Sequence, residues 1–182
     1  MSTFKTELAS STFKIQPESS TVNWTGKKAL GLHTGSINIK DGFLLFENEL
    51  LNDGEVIIDM TSIIITDITD KAVYKEFFDH LNNDDFFAVD QFKTASLKIT
   101  NSEKINEQYK IFGDLTIKDI THPVEFVATI EIFTDFLHAL GEIKIDRTLY
   151  NIKYGSGKFI SNLGDKLIYD EFVLQFKLVG QK

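Results

Sequence analysis

Residues 109–117 read YKIFGDLTI and residues 123–132 read PVEFVATIEI, and both keep the same rhythm. Tyr109, Ile111, Gly113, Leu115 and Ile117 take one parity, while Asp114 and Thr116 take the other. In the second run Val124, Phe126, Ala128, Ile130 and Ile132 alternate with Glu125, Val127, Thr129 and Glu131. Successive side chains of a strand point to opposite faces, so a period of two predicts strands with one dry and one wet face.

The same period extends outward from this pair. In ALGEIKIDR (139–147), Ala139, Gly141, Ile143 and Ile145 oppose Leu140, Glu142, Lys144 and Asp146. In EFVLQFKL (171–178), Phe172, Leu174, Phe176 and Leu178 oppose Glu171, Val173, Gln175 and Lys177. STVNWTGKK (20–28), GSINIKDGFLLFE (35–47), GEVIIDMTSI (54–63) and FKTASLKIT (92–100) complete about eight candidate strands, each bounded by Gly, Asn or Asp turn signals. Short connections suit an antiparallel meander or barrel, and helical patterns do not alternate with the strands as a βαβ fold requires. One helix is predicted over 70–81: Asp70 caps it, Val73, Phe77 and Leu81 recur at i+4, Tyr74 and Phe78 widen the stripe, and Asn82 and Asn83 suit its end.

The stretch FFDHLNNDDFFAVDQF (77–92) puts Phe77 and Phe78 on that helix, with Phe86, Phe87 and Phe92 in the return loop and next strand. A barrel of about eight strands is filled by side chains or holds one small ligand, and its ends need a cover. An amphipathic helix with an aromatic loop could close one end. Core beneath a long loop explains the same phenylalanines, and the residue count favours it.

Composition bounds the function. The chain has 182 residues, 42% of them hydrophobic and 25% charged, which suits one domain, and a net charge of −8 with scattered basic residues does not suit nucleic acid. No apolar run is long enough for an integral membrane segment. MSTFKTELASSTFKIQ lacks the pattern of a secretory leader, so the expected location is cytoplasmic as written, or periplasmic if a leader has been removed. Residues 1–10 are expected to be a flexible segment and 11–182 a single domain. With no cysteine there is no disulfide, thiolate metal site or cysteine nucleophile.

No catalytic constellation emerges. His33, His80, His122 and His138 lack metal-site spacing and read as singletons, although His33 between Gly31 and Gly35 could reach a barrel mouth. YGSGKF (154–159) fails as a P-loop because Ile152 and Phe159 stand at required positions. Asp84 and Asp85 read as turn carboxylates, and the Asn23-Trp24-Thr25 sequon falls inside a strand. Arg147, the sole arginine, shares the parity of Ile143 and Ile145 and should point inward. A buried guanidinium needs acceptors: an internal carboxylate, backbone carbonyls, or the polar head of a ligand. These alternatives stay open on sequence.

Taken in order, VNWTGKKALGLHTGSI (22–37), IDMTSI (58–63), HLNNDDFFAVDQF (80–92), GDLTIKDITHPVEF (113–126) and GEIKIDRTLYNIKYGSG (141–157) resemble the YceI-like family of polyisoprenoid-binding, lipocalin-like barrel proteins. The resemblance runs from about Phe13 to the C-terminus. It implies an all-β fold: an eight-stranded antiparallel lipocalin-like β-barrel with one helix in an insertion covering one end. It also implies an elongated apolar tunnel for a polyprenyl chain, quinone or fatty amide, and no catalytic machinery. Asp119 stands where the family often has a turn glycine.

On the resemblance, Phe86 and Phe87 would line or close the tunnel, with Trp24, Phe46, Met60, Phe77, Phe92, Phe126, Ile143 and Phe172 in its wall. His33 joins them at the mouth, and Arg147, Tyr150 and Tyr154 would mark the polar end. Each could equally be core. The expected partner is a hydrophobic small molecule, with no cofactor beyond a bound polyprenyl lipid or quinone, and a homodimer follows by analogy with relatives. The alternative function is a stress-response or assembly protein that acts through its surface around a filled, ligand-free barrel.

Overall fold

A computed structural model describes residues 10–182. The expected flexible segment 1–10 therefore lies, apart from Ser10, outside the described residues. Nine antiparallel strands follow: β1 (Ser10–Ile15), β2 (Thr21–Lys28), β3 (Gly31–Glu47), β4 (Leu50–Ile65), β5 (Thr94–Ile105), β6 (Gln108–Ile117), β7 (Ile120–Ile132), β8 (Phe136–Asp146) and β9 (Ile168–Gln181). The sheet closes because β3 pairs with β4 as well as with β2. β1 pairs with β3 and β9, the same neighbours that flank β2. Pro17 opens a 3-10 turn between them. β1 and β2 are thus two lengths of one stave, and the barrel has eight.

The alternation read from the sequence is the alternation of burial. Along β6, Tyr109, Ile111, Gly113, Leu115 and Ile117 are buried and the residues between them are not. Along β8, Ala139, Ile143 and Ile145 are buried while Leu140, Glu142 and Lys144 are exposed. β3 and β4 run for 17 and 16 residues, and three register shifts between them let so long a pair curve around the barrel. One shift is held by Asp59, which accepts from the Thr61 amide, and by Ser62, whose Oγ accepts from the Asn38 amide at 2.8 Å. The turn between β6 and β7 puts Lys118 and Asp119 at φ 54° and 58°. Left-handed backbone of this kind favours glycine. Asp119→Gly is expected to raise stability by up to about 1 kcal/mol in chemical denaturation.

Helix α1 (Lys71–Asn82) follows β4. Asp70 caps it, accepting from the Ala72 and Val73 amides at 2.9 and 3.0 Å. Asp70→Ala is expected to cost about 1 kcal/mol, read from the urea midpoint. The helix ends differently from expectation, because Asn83 has φ −78° and is not left-handed. Instead the DDFFAV backbone turns back under it: the Phe87 amide donates to Leu81, Val89 to Asn82, and Phe86 and Ala88 to Asn83. The predicted stripe is also only half buried. Leu81 is buried and Phe77 and Phe78 are partly so, but Val73 is exposed, since α1 rides on the barrel end and has no second layer above it. β5 begins at Thr94, so Phe92 sits in the loop rather than in a strand, as expected from FKTASLKIT.

Candidate functional site

The two ends of the barrel differ. One carries the 47–50, 106–107 and 133–135 turns and is packed solid: Phe46 meets Phe13 and Tyr109 edge-on with ring centroids 6.1 and 6.2 Å apart. The Tyr109 hydroxyl donates to the Glu49 carbonyl at 3.0 Å. The other end carries α1, the 83–93 loop and the long segment between β8 and β9, and there the interior is hollow.

The hollow is a cavity of about 1080 Å³. Its walls are apolar side chains of the strands, among them Val22, Ile37, Met60, Ile63, Leu115 and Leu174, and α1 with the aromatic loop forms its roof. A second void of about 80 Å³ lies deeper and shares Val22, Ile58, Leu115, Ile145 and Leu174 with the first. It is lined wholly by hydrophobic residues and is nearly filled by Phe126 and Phe176, whose rings meet edge-on at 5.9 Å.

The expected site residues divide accordingly. Trp24, His33, Met60, Phe77, Phe86, Phe87, Arg147, Tyr154 and Phe172 line the large cavity. Phe126 and Ile143 face inward as their parity requires, but they border only the small void. Phe46 belongs to the packed end, and Phe92 and Tyr150 line neither space. Sequence reading passed over the aliphatic wall, Ile37, Ile58, Ile63, Ile68 and Leu174, because an isoleucine facing a cavity and one facing a neighbour look alike. It also passed over His80.

Aromatic contacts knit the roof. Phe86 meets Phe87 at 5.5 Å, and Phe87 meets Phe172 of β9 at 6.4 Å. The His80 ring lies against Phe86 at 5.3 Å and Tyr154 at 4.4 Å. Burial lowers the pKa of His80 against the opposing pull of Asp85, so the ring is uncharged at neutral pH. At the mouth, His33 bonds Asp67 at 2.8 Å and packs on Phe77 at 4.7 Å.

Arg147 is 2% exposed, and each of its three guanidinium nitrogens donates a hydrogen bond. Nε donates to the Tyr169 carbonyl at 3.1 Å, one terminal nitrogen to Ile152 at 2.8 Å and the other to Ile168 at 3.1 Å. Its plane lies over the Phe86 ring at 5.5 Å, and Asp170 is 3.9 Å away. Of the acceptors considered from sequence, backbone carbonyls take the hydrogen bonds and the Asp170 carboxylate stands in ion-pair range. Lys158 extends the network, reaching Asp146 at 2.8 Å and Asp170 at 3.4 Å. Arg147 thereby ties the 147–167 segment to β9.

Tyr150 sits behind this segment, 1% exposed, with the His122 ring against it at 5.4 Å. Burial, helped by the negative charge of Asp146, pushes its pKa up to about 12. An unfolded tyrosine ionises near 10, so unfolding releases a proton between about pH 10 and 12. The stability contributed by the neutral phenol is complete below pH 10 and is expected to be lost as pH rises through that window. Ultraviolet titration of folded protein, compared with Tyr150→Phe, checks it.

The site is therefore the hollow half of a lipocalin-like barrel, roofed by a helix and an aromatic loop. The profile of the YceI-like domain family matches residues 13–180, and the chain belongs to that family. Among solved structures it is similar to Burkholderia cenocepacia BcnA, at 20% identity over 91% of this chain and 98% of that one, with a TM-score of 0.68. It is similar also to a polyisoprenoid binding domain from Saccharophagus degradans implicated in plant cell wall breakdown, at 13% identity over 96% and 99% of the two chains, TM-score 0.65. The Campylobacter jejuni YCEI protein matches at 20% identity over 72% of this chain and 74% of that one, TM-score 0.55. At these identities the likeness establishes the fold. A search of curated proteins found no match.

Among the described residues no three metal-ligating side chains gather into a cluster. No described helix is long and apolar enough to cross a membrane.

Proposed function

We propose that the protein binds one long-chain amphiphile, of the polyisoprenoid, quinone or fatty amide class, and acts as its carrier or sequestering protein rather than as an enzyme. The observation that carries this reading is the apolar cavity of about 1080 Å³ open at the helix end. Small-molecule pockets usually measure about 300–1,000 Å³. At roughly 30 Å³ of liquid volume per water-sized group, this one has room for on the order of 35 such groups. Each methylene taken from water contributes about 0.8 kcal/mol, so a dozen contribute about 10 kcal/mol, enough to offset much of the cost of association. The alternative of a filled barrel working only through its surface needs an interior without such a space.

Detergent-free purification followed by solvent extraction and mass spectrometry, beside native mass spectrometry, tests the reading. A stoichiometric lipid in both supports it, and its mass names the class. A clean protein that also refuses added polyprenyl phosphate, quinone and fatty amide sinks it. Met60→Trp, which places an indole in the cavity, is expected to weaken uptake about tenfold or more while the thermal midpoint moves little.

A further inference from the structure

The rim of the cavity carries exposed apolar side chains together with lysines. At the β2–β3 tip, Leu30 and Leu32 stand 69% and 50% exposed. This tip is held against the segment that precedes β9: the Ala29 amide donates to Leu167 at 2.9 Å, and the Ile168 amide to Gly155 at 2.9 Å. That segment adds Tyr154, Phe159 and Ile160, and the start of β9 adds Tyr169, all exposed. Single exposed apolar residues are ordinary, but six on adjoining loops and strand ends beside one opening make a patch that marks an interaction site.

Charge separates this rim further. Residues 26–32 and 153–169 together hold five lysines and one aspartate, and of these lysines Lys158 is taken up by Asp146 and Asp170, within a chain whose net charge is −8. Lys27, Lys28 and Lys166 border the mouth itself, and Lys153 lies 4.8 Å over the Phe159 ring. The YGSGKF tract, which fails as a phosphate loop, is part of this basic and aromatic edge. On the helix side the cavity edge carries Glu76, Asp79 and Asp85, with Asp79 paired to Lys75.

We propose that the basic, apolar rim is a docking surface for an anionic lipid bilayer. Leu30, Leu32, Phe159 and Ile160 enter the interface, the lysines lie among the headgroups, and the cavity mouth rests on the membrane that supplies or receives the guest. The purpose of docking rests on the proposed lipid cavity, whereas docking itself rests on the rim. Loop tips carrying apolar residues beside lysines match a headgroup layer in shape and charge. A two-fold contact between copies through the same patch would set lysines against lysines. Repulsion of the acidic helix side tilts the molecule so that the lysine edge approaches first.

Vesicle flotation tests the proposal with the full chain. The protein is expected to float with vesicles of phosphatidylglycerol and phosphatidylcholine, to float far less with phosphatidylcholine alone, and to detach as salt rises. Leu30→Glu combined with Phe159→Glu, neither of which lines the cavity, is expected to weaken binding about tenfold or more. Lys153→Gln is expected to weaken it about fivefold. Circular dichroism confirms folding, and Leu30→Ser alone carries the test if the double variant does not fold. Wild-type protein that stays with the buffer, or variants that float equally, overturn the proposal. So does a dimer in light scattering that the double variant dissolves without any vesicle binding. Uptake of a fluorescent fatty amide delivered from ethanol is read separately: protein that floats but takes up nothing keeps the docking surface and loses the cavity reading.

Discussion

Arg147→Ala is expected to lower the unfolding free energy by about 3–5 kcal/mol, because it removes a buried cation and the three hydrogen bonds it donates. The carbonyls of Ile152, Ile168 and Tyr169 would lose the guanidinium, and Phe86 would lose the cation over its ring. The damage should concentrate in the 147–167 segment, where hydrogen exchange would speed up before the strands are affected. Arg147→Lys is expected to recover little, since one ammonium cannot span three carbonyls that a planar fork reaches. Urea denaturation of both variants decides the matter. Unchanged stability with a large loss of ligand affinity would instead mean that the guanidinium grips the guest's head.

Gly35→Ala is expected to cost roughly 3 kcal/mol, a large effect for one methyl group. Gly35 lies on β3 opposite Trp24 of β2, and the indole lies flat over it. A β-carbon there would fall inside contact distance of both the Trp24 ring and the Ile64 carbonyl oxygen. The carbonyl belongs to the neighbouring strand and cannot yield, so the indole must leave and β3 must shift. Trp24 is the single tryptophan and it lines the cavity, so its fluorescence reports the displacement directly. A red-shifted spectrum with a lowered urea midpoint is the expected result. A spectrum and midpoint matching wild type would show that the close approach of indole to backbone is not needed.

What the sequence showed was the direction in which side chains point. Parity placed Ile143, Ile145, Phe126 and Phe172 inside, and the barrel puts each of them there or at the cavity wall. The cap at Asp70 was equally legible, because capping is local. β1 was not, because Phe13 and Ile15 mean little until they meet Leu44 and Phe46 of β3 and the tail of β9, far along the chain. Two of the three acceptors of Arg147 are main-chain oxygens about twenty residues away, and carbonyls leave no trace in residue identity. The boundary between hollow and filled barrel was beyond reach for a related reason. Phe126 and Phe172 have the same parity and chemistry, yet one closes a gap against Phe176 and the other borders open space.

The packed half of the barrel has a further consequence, for the length of a guest. Phe126 and Phe176 close the bore partway down, leaving only about 80 Å³ beyond the main space. The bore is therefore a blind socket with a floor, and a floor works as a ruler. Within a homologous series, affinity should climb with each added carbon until the tail touches bottom, then level off as further carbons stay in water at the mouth. The turning point of that curve would measure the socket's depth in carbons, and Phe176→Ala should move it toward longer chains.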